Sequence, residues 1–200
     1  MTKIRKITSL RKHVLWIILY VGLVGCTKAP ALKVYSLNVP SVGTTQSSIY
    51  RNKSIKVTYP QSLREQISQK MNFSYSNSDS GTYQNSEWSN DMSKLLQGTF
   101  IEVLDSAKLF KVVLSDTTTL KENYRLESNI FAFEHRVRDT QSHAIISIQF
   151  TLINADTGKL VKSKRFSYQE ATQTTDAKGY ASATNVIMRK LSGDLLGWLR

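Results

Sequence analysis

The 200-residue chain has 27 basic and 15 acidic residues, a formal net charge of +12, one cysteine and three histidines. A single cysteine excludes a disulfide scaffold, so stability must come from an apolar core. The charge is partly local: Lys3, Arg5, Lys6, Arg11 and Lys12 precede the first apolar run, and the rest of the chain carries 22 basic against 15 acidic residues, or +7.

That apolar run, Val14 to Val24, is eleven residues without a charge. As a helix it would span about 16 Å, roughly half a bilayer's hydrocarbon core, too short for an ordinary transmembrane anchor. A basic head, a short apolar middle and a small-residue end read as a secretory signal peptide, residues 1–25, to be set aside from the fold. The end is unusual. Leu23-Val24-Gly25-Cys26 resembles the bacterial lipobox, which implies cleavage between Gly25 and Cys26, a diacylglycerol thioether on Cys26 and acylation of the new amino group, by palmitate for example. The thiolate is the nucleophile such lipidation requires. The alternative, a core helix ending in a buried thiol, leaves the basic head and the terminal string unexplained.

A mature chain of 175 residues from Cys26 suits one domain. Two or three acyl chains would hold it on an envelope membrane facing the periplasm, with no cofactor beyond that covalent lipid. Thr27, where an Asp would favour inner-membrane retention, favours the outer membrane. Nucleic acid is excluded as a natural partner there. The thinly spread basic residues read as a surface near anionic lipid head groups, or as a merely solvated one.

A short lipidated tether, residues 26–31, leads to the domain at 32–200. It reaches roughly 17 Å if extended, so the domain must sit near the membrane. Leu32 to Val39 reads as a first strand, and KSIKVTYP as a second that ends at Pro60. Met71, Phe73 and Tyr75 alternate before the segment becomes a Ser/Asn-rich turn. From about Glu87, apolar residues at three-to-four-residue spacing predict a helix of about twenty residues. Lys108 to Val113 returns to an extended pattern.

Asn123 to Glu170 predicts three antiparallel strands joined by Arg138–Ser142 and Asn154–Lys159, the latter turning on Asp156-Thr157-Gly158. Alternation puts Tyr124, Leu126, Ile130 and Ala132 on one face of the first, and Ala144, Ile146, Ile148, Phe150 and Leu152 on one face of the second. A last helix runs from about Lys178 to Leu199, with Trp198 in its packing stripe. The order implies an α+β fold: an antiparallel sheet with two long amphipathic helices packed on one face, in a single domain after the signal peptide.

Catalytic chemistry is missing from the sequence. No GxSxG, HExxH, P-loop or dinucleotide fingerprint is present, and no carboxylate pair is evident. His135 and His143 flank a predicted hairpin with Asp139 between them, and a metal would need all three. We read them as solvated loop histidines, predict neither catalytic nor metal-binding residues, and read the protein as a binder.

The whole pattern resembles the ABC-type transport auxiliary lipoprotein family. The resemblance is carried by the lipobox, YSL shortly after it, IKV leading to a Pro, Tyr83 and Ser86–Trp88 before a long helix, LFKVV, YRLESNIFAFEH, LINADTGKLVKSKRF and the terminal GWLR. The Ser/Asn-rich loop from Ser74 to Ser86 is longer and more polar than that pattern. The resemblance implies a non-enzymatic lipoprotein of an MCE-type or paraquat-inducible-type phospholipid transport system. Such a lipoprotein would dock a periplasmic MCE protein whose permease and ATPase sit in the inner membrane, and a ring-forming MCE partner would suit a homo-oligomer. Docking needs an exposed aromatic patch, for which Trp88, Tyr83 and Tyr75 are the candidates. The competing reading of Trp88 is a staple of the helix start into the core. The alternative function is an accessory lipoprotein of another outer-membrane machine, for lipopolysaccharide transport or barrel assembly. An anchored hydrolase dependent on His135 or His143 is the least supported.

Overall fold

Three long strands organise the sheet: β7 (Tyr124–Arg138), β8 (Gln141–Asn154) and β9 (Leu160–Ala171), an antiparallel meander within a residue or two of its predicted bounds. The computed structural model describes residues 30–200 apart from 46, 63–67 and 140; the signal peptide, Gly25 and Cys26 lie outside the described residues. In β8 the alternation acts as written: Ala144, Ile146, Ile148, Phe150 and Leu152 are each at most 1% exposed. The turn into β9 is closed by the Asn154 side chain, which accepts hydrogen bonds from the backbone N–H groups of Asp156 and Thr157.

β7 departs from simple alternation. Its pairing with β8 slips between Ile130 and Ala132, so Phe131 is an extra residue in a β-bulge. One extra residue inverts the side-chain phase. Leu126, Ser128 and Ile130 point into the core, then Phe133 and His135 take over, and Ala132 moves to the other face. The predicted grouping of Ala132 with Leu126 and Ile130 is thereby corrected.

The second edge of β7 receives three short strands in succession. These are β2 (Ser54–Val57), β3 (Gln61–Ser62) and β4 (Lys70–Ser74), all parallel to it. β6 (Val112–Ser115) lies parallel to β2, β5 (Ser80–Trp88) runs antiparallel to β4, and β1 (Lys33–Tyr35) runs parallel to β5. The α+β class holds, and among the described residues the nine-stranded sheet is mixed, antiparallel only at β4–β5 and through the meander. Parallel neighbours need a crossover, and the helix between β5 and β6 lies in the crossover for the pairs of β2, β3 and β4 with β6 or β7.

That helix, α1 (Met92–Ala107), and α2 (Ala177–Leu199) cover one face. Leu96, Phe100, Val103 and Leu104 of α1 are buried, with the Phe100 ring edge-on to Phe150 at 5.0 Å. From α2, Tyr180, Ile187, Met188, Leu191 and Leu195 are fully buried over β8 and β9. Asp176 caps α2 by accepting from the Gly179 N–H at 2.9 Å. α1 starts at Met92 rather than Glu87 because Trp88 closes β5. Residues Leu32–Arg200 form one compact unit that contains the whole described core.

Candidate functional site

The segment that carried the candidate aromatics folds as a hairpin. Lys70–Ser74 and Ser80–Trp88 pair antiparallel, and the turn is closed by Tyr75 N–H donating to the Asp79 carbonyl at 2.8 Å. The rings of Phe73, Tyr75 and Tyr83 form an edge-to-face ladder, each adjacent pair 5.2 Å apart. Gly81 makes room for it: a Cβ there would stand 2.8 Å from the tip of the Phe73 ring.

The hairpin is fastened to the core at two points. Tyr83 Oη and His135 Nδ1 share a hydrogen bond of 2.6 Å, and the His135 ring lies flat against Tyr180 at 5.2 Å. Trp88 sits edge-on to Phe133 and Tyr180. Burial holds the His135 pKa below its ordinary value; the Asp176 carboxylate opposes that, and His143 adds to it. Burial, with Asp176 and Tyr75 adding to it, raises the Tyr83 phenol to about 12. The pair is thus a neutral, structural hydrogen bond at physiological pH.

These positions correct several expectations. Trp88 is 1% exposed and fills the core, so it offers no surface to a partner. Tyr83 is half-buried and committed to His135. Tyr75, 51% exposed at the hairpin end, is the one candidate aromatic on the surface. His135 is fully buried rather than a solvated loop histidine. It pairs with Ala144 while His143 pairs with Arg136, one register step away, so the two imidazoles face opposite sides of the sheet. They cannot converge on one metal, and no group of three potential ligands occurs among the described residues.

Beside the hairpin, on the side of β7 turned away from the helices, lies a groove of about 630 Å³. Phe73, Gly81, Thr82, Phe131, Glu134 and Arg136 contribute to its wall. The Arg136 guanidinium pairs with the Glu134 carboxylate, and the Arg165 guanidinium stacks over Phe131 at 3.9 Å while donating to Ser147 Oγ. Phe131 reaches the groove because the bulge turns it outward. The surface is polar with aromatic edges. Nothing in the local sequence pattern separated these residues from the rest of the strand, because the bulge that places them is set by pairing with β8.

The model of the family described as ABC-type transport auxiliary lipoprotein component matches residues 35–195. Among solved structures, the fold is similar to protein XCC0632 from Xanthomonas campestris, with a TM-score of 0.74 and 17% identity, covering 83% of this chain and 94% of that one. It is also similar to the crystal structure of an uncharacterized protein, with a TM-score of 0.67 and 14% identity over 86% of this chain and 100% of that one. Identities this low speak to the fold alone. None of the curated proteins matches the sequence.

Proposed function

We propose that this chain, which belongs to the family of ABC-type transport auxiliary lipoprotein components, is the non-catalytic subunit that docks a periplasmic MCE protein at the envelope membrane for phospholipid transport. The family assignment makes it a lipoprotein associated with an ABC transport system. The observation that carries the anchored reading is the LVGC string ending at Cys26, nine residues before the family match begins at residue 35. In this reading Gly25–Cys26 is the cleavage site, Cys26 carries the diacylglycerol and N-acyl lipid, and Thr27 directs the protein to the outer membrane. Acylation supplies the membrane affinity, leaving the folded unit free to recognise protein. The hairpin surface around Tyr75 is the part of the candidate patch that remains accessible, and it is the surface we assign to the MCE protein.

The test is crosslinking in envelope membranes, followed by mass spectrometry of what is captured with the wild type and with Cys26→Ala. Capture of an MCE protein together with its permease, weakened by Cys26→Ala, is the expected result. Capture of a β-barrel or a lipopolysaccharide-transport component in its place would transfer the protein to another outer-membrane machine. Cys26→Ala remaining in the membrane fraction at unchanged mass would remove the lipid anchor from the reading.

A further inference from the structure

One end of the sheet gathers basic and apolar side chains that neither the core nor the hairpin uses. There β2 begins opposite β6 (Ser54↔Val112), β7 begins opposite the end of β8 (Tyr124↔Asn154), and β9 begins at Leu160 opposite Ile153. Backbone hydrogen bonds tie the connecting loops into one rim. Lys111 N–H donates to the Lys53 carbonyl at 2.8 Å, Ala155 N–H to the Asn123 carbonyl at 2.9 Å, and Thr45 N–H to the carbonyl of Ala107 at 2.8 Å.

Four aliphatic side chains project from this rim: Ile49 is 80% exposed, Leu160 64%, Leu120 61% and Val112 40%. Ile49 is held outward by its neighbour, because Tyr50 is buried between Phe110 and Tyr124. Lys53, Lys111 and Lys159 stand exposed among them with no ion pair among the described residues. The nearby carboxylates are already engaged. Asp105 meets Lys108 at 2.9 Å and Asp156 meets Lys121 at 3.4 Å, while Glu122 is buried between Lys56 and Arg125. The rim is therefore cationic, with exposed aliphatic side chains among its lysines.

We infer that this end of the domain is a membrane-contact surface for anionic lipid, acting in addition to any acyl anchor. Charge complementarity selects the occupant: lysines attract a negatively charged leaflet, and their long stems keep the ammonium at head-group level while short aliphatic side chains enter the acyl boundary. A protein partner fits less well, since lysine is depleted from the cores of protein interfaces.

The test uses residues 32–200, which hold every described strand and the whole described core, in co-sedimentation with phosphatidylglycerol-containing and with pure phosphatidylcholine vesicles. Binding to the anionic vesicles alone, weakened by salt, is expected. The triple variant Lys53→Glu, Lys111→Glu, Lys159→Glu lowers that binding by at least about tenfold. Ile49→Ser with Leu160→Ser lowers it by several-fold and leaves the salt dependence intact. Lys94→Glu, roughly 20 Å away along α1, leaves binding unchanged. All six positions are exposed, and circular dichroism melts confirm that the variants fold. Equal binding to both vesicle types, or equal weakening by Lys94→Glu, overturns the inference. Binding to an acidic polypeptide without binding to anionic vesicles overturns it too, and gives the rim to a protein.

Discussion

The β7–β8–β9 meander and the β4–β5 hairpin share one sheet but are held by different means. In the meander the stabilising pattern is in each strand: β8 buries every second residue from Ser142 to Leu152 and pairs along most of its length on both sides. In the hairpin, Met71 and Ser74 are the buried residues of β4, and Trp88 is the one buried residue of β5. The hairpin stays in place through two register pairs with β7, the Tyr83–His135 hydrogen bond and the Trp88 ring among Phe133 and Tyr180. A strand with a weak pattern of its own can thus be held by a few anchors that its neighbours supply, which leaves most of its residues free for recognition.

The comparison breaks most sharply in the core of the meander. Phe150 is fully buried against Phe100, Phe166 and Trp198, so Phe150→Ala lowers global stability by roughly 3–5 kcal/mol in a denaturant titration. A loss below about 1 kcal/mol would mean that the helices, not the meander, dominate the fold. Tyr83→Phe removes one anchor of the hairpin and leaves a buried imidazole nitrogen unpaired, at roughly 1–3 kcal/mol. Its signature is regional: amide exchange accelerates in β4 and β5 while β8 is unaffected. Equal acceleration in β8 would show that the two regions open together.

Acid separates the regions further. The pKa of His135 is lower in the fold than its ordinary 6.5, so the unfolded chain takes up the proton first. The stability His135 contributes is present above about pH 6.5 and is lost as pH falls below that, which loosens the hairpin side. Glu122 at the base of β7 titrates later. Burial pushes its pKa up, but hydrogen bonds from Lys56 and Arg125 outweigh this and bring it from 4.5 to about 2. Its contribution is present above pH 4.5 and is lost as pH falls from there towards about 2. Residue-resolved exchange across that range is expected to show β4–β5 opening before the start of β7, and the reverse order would contradict the assigned anchors. The smallest effect on stability is at Tyr75. Tyr75 is half exposed and gives up an edge-to-face contact with Phe73, so Tyr75→Ser costs roughly 0.5–1 kcal/mol. It is nevertheless expected to weaken crosslinked capture of the MCE protein, and undiminished capture would take the hairpin out of that interface.

The α+β class, the meander with its Asn154–Lys159 turn, and α2 to within a residue at its start were legible in the sequence. Each is a local periodicity of 2 or 3.6 that records burial of one face. The nine-residue strand β5 was not legible, because Ser, Asn and Gln dominate it and its pairing energy comes from β4 and β1. Nor were the parallel docking of β2, β3 and β4 along β7 and the separation of His135 from His143 onto opposite faces. Those features depend on register between segments distant in the chain, and on one bulge at Phe131 that inverts the phase of everything after it. The sequence alone determined the meander, the two helices and the apolar face of each, but not the hairpin strand β5. Only tertiary pairing decided which aromatics stay on the surface and what lines the groove, because strand partners and bulges are chosen by the packing of the whole sheet.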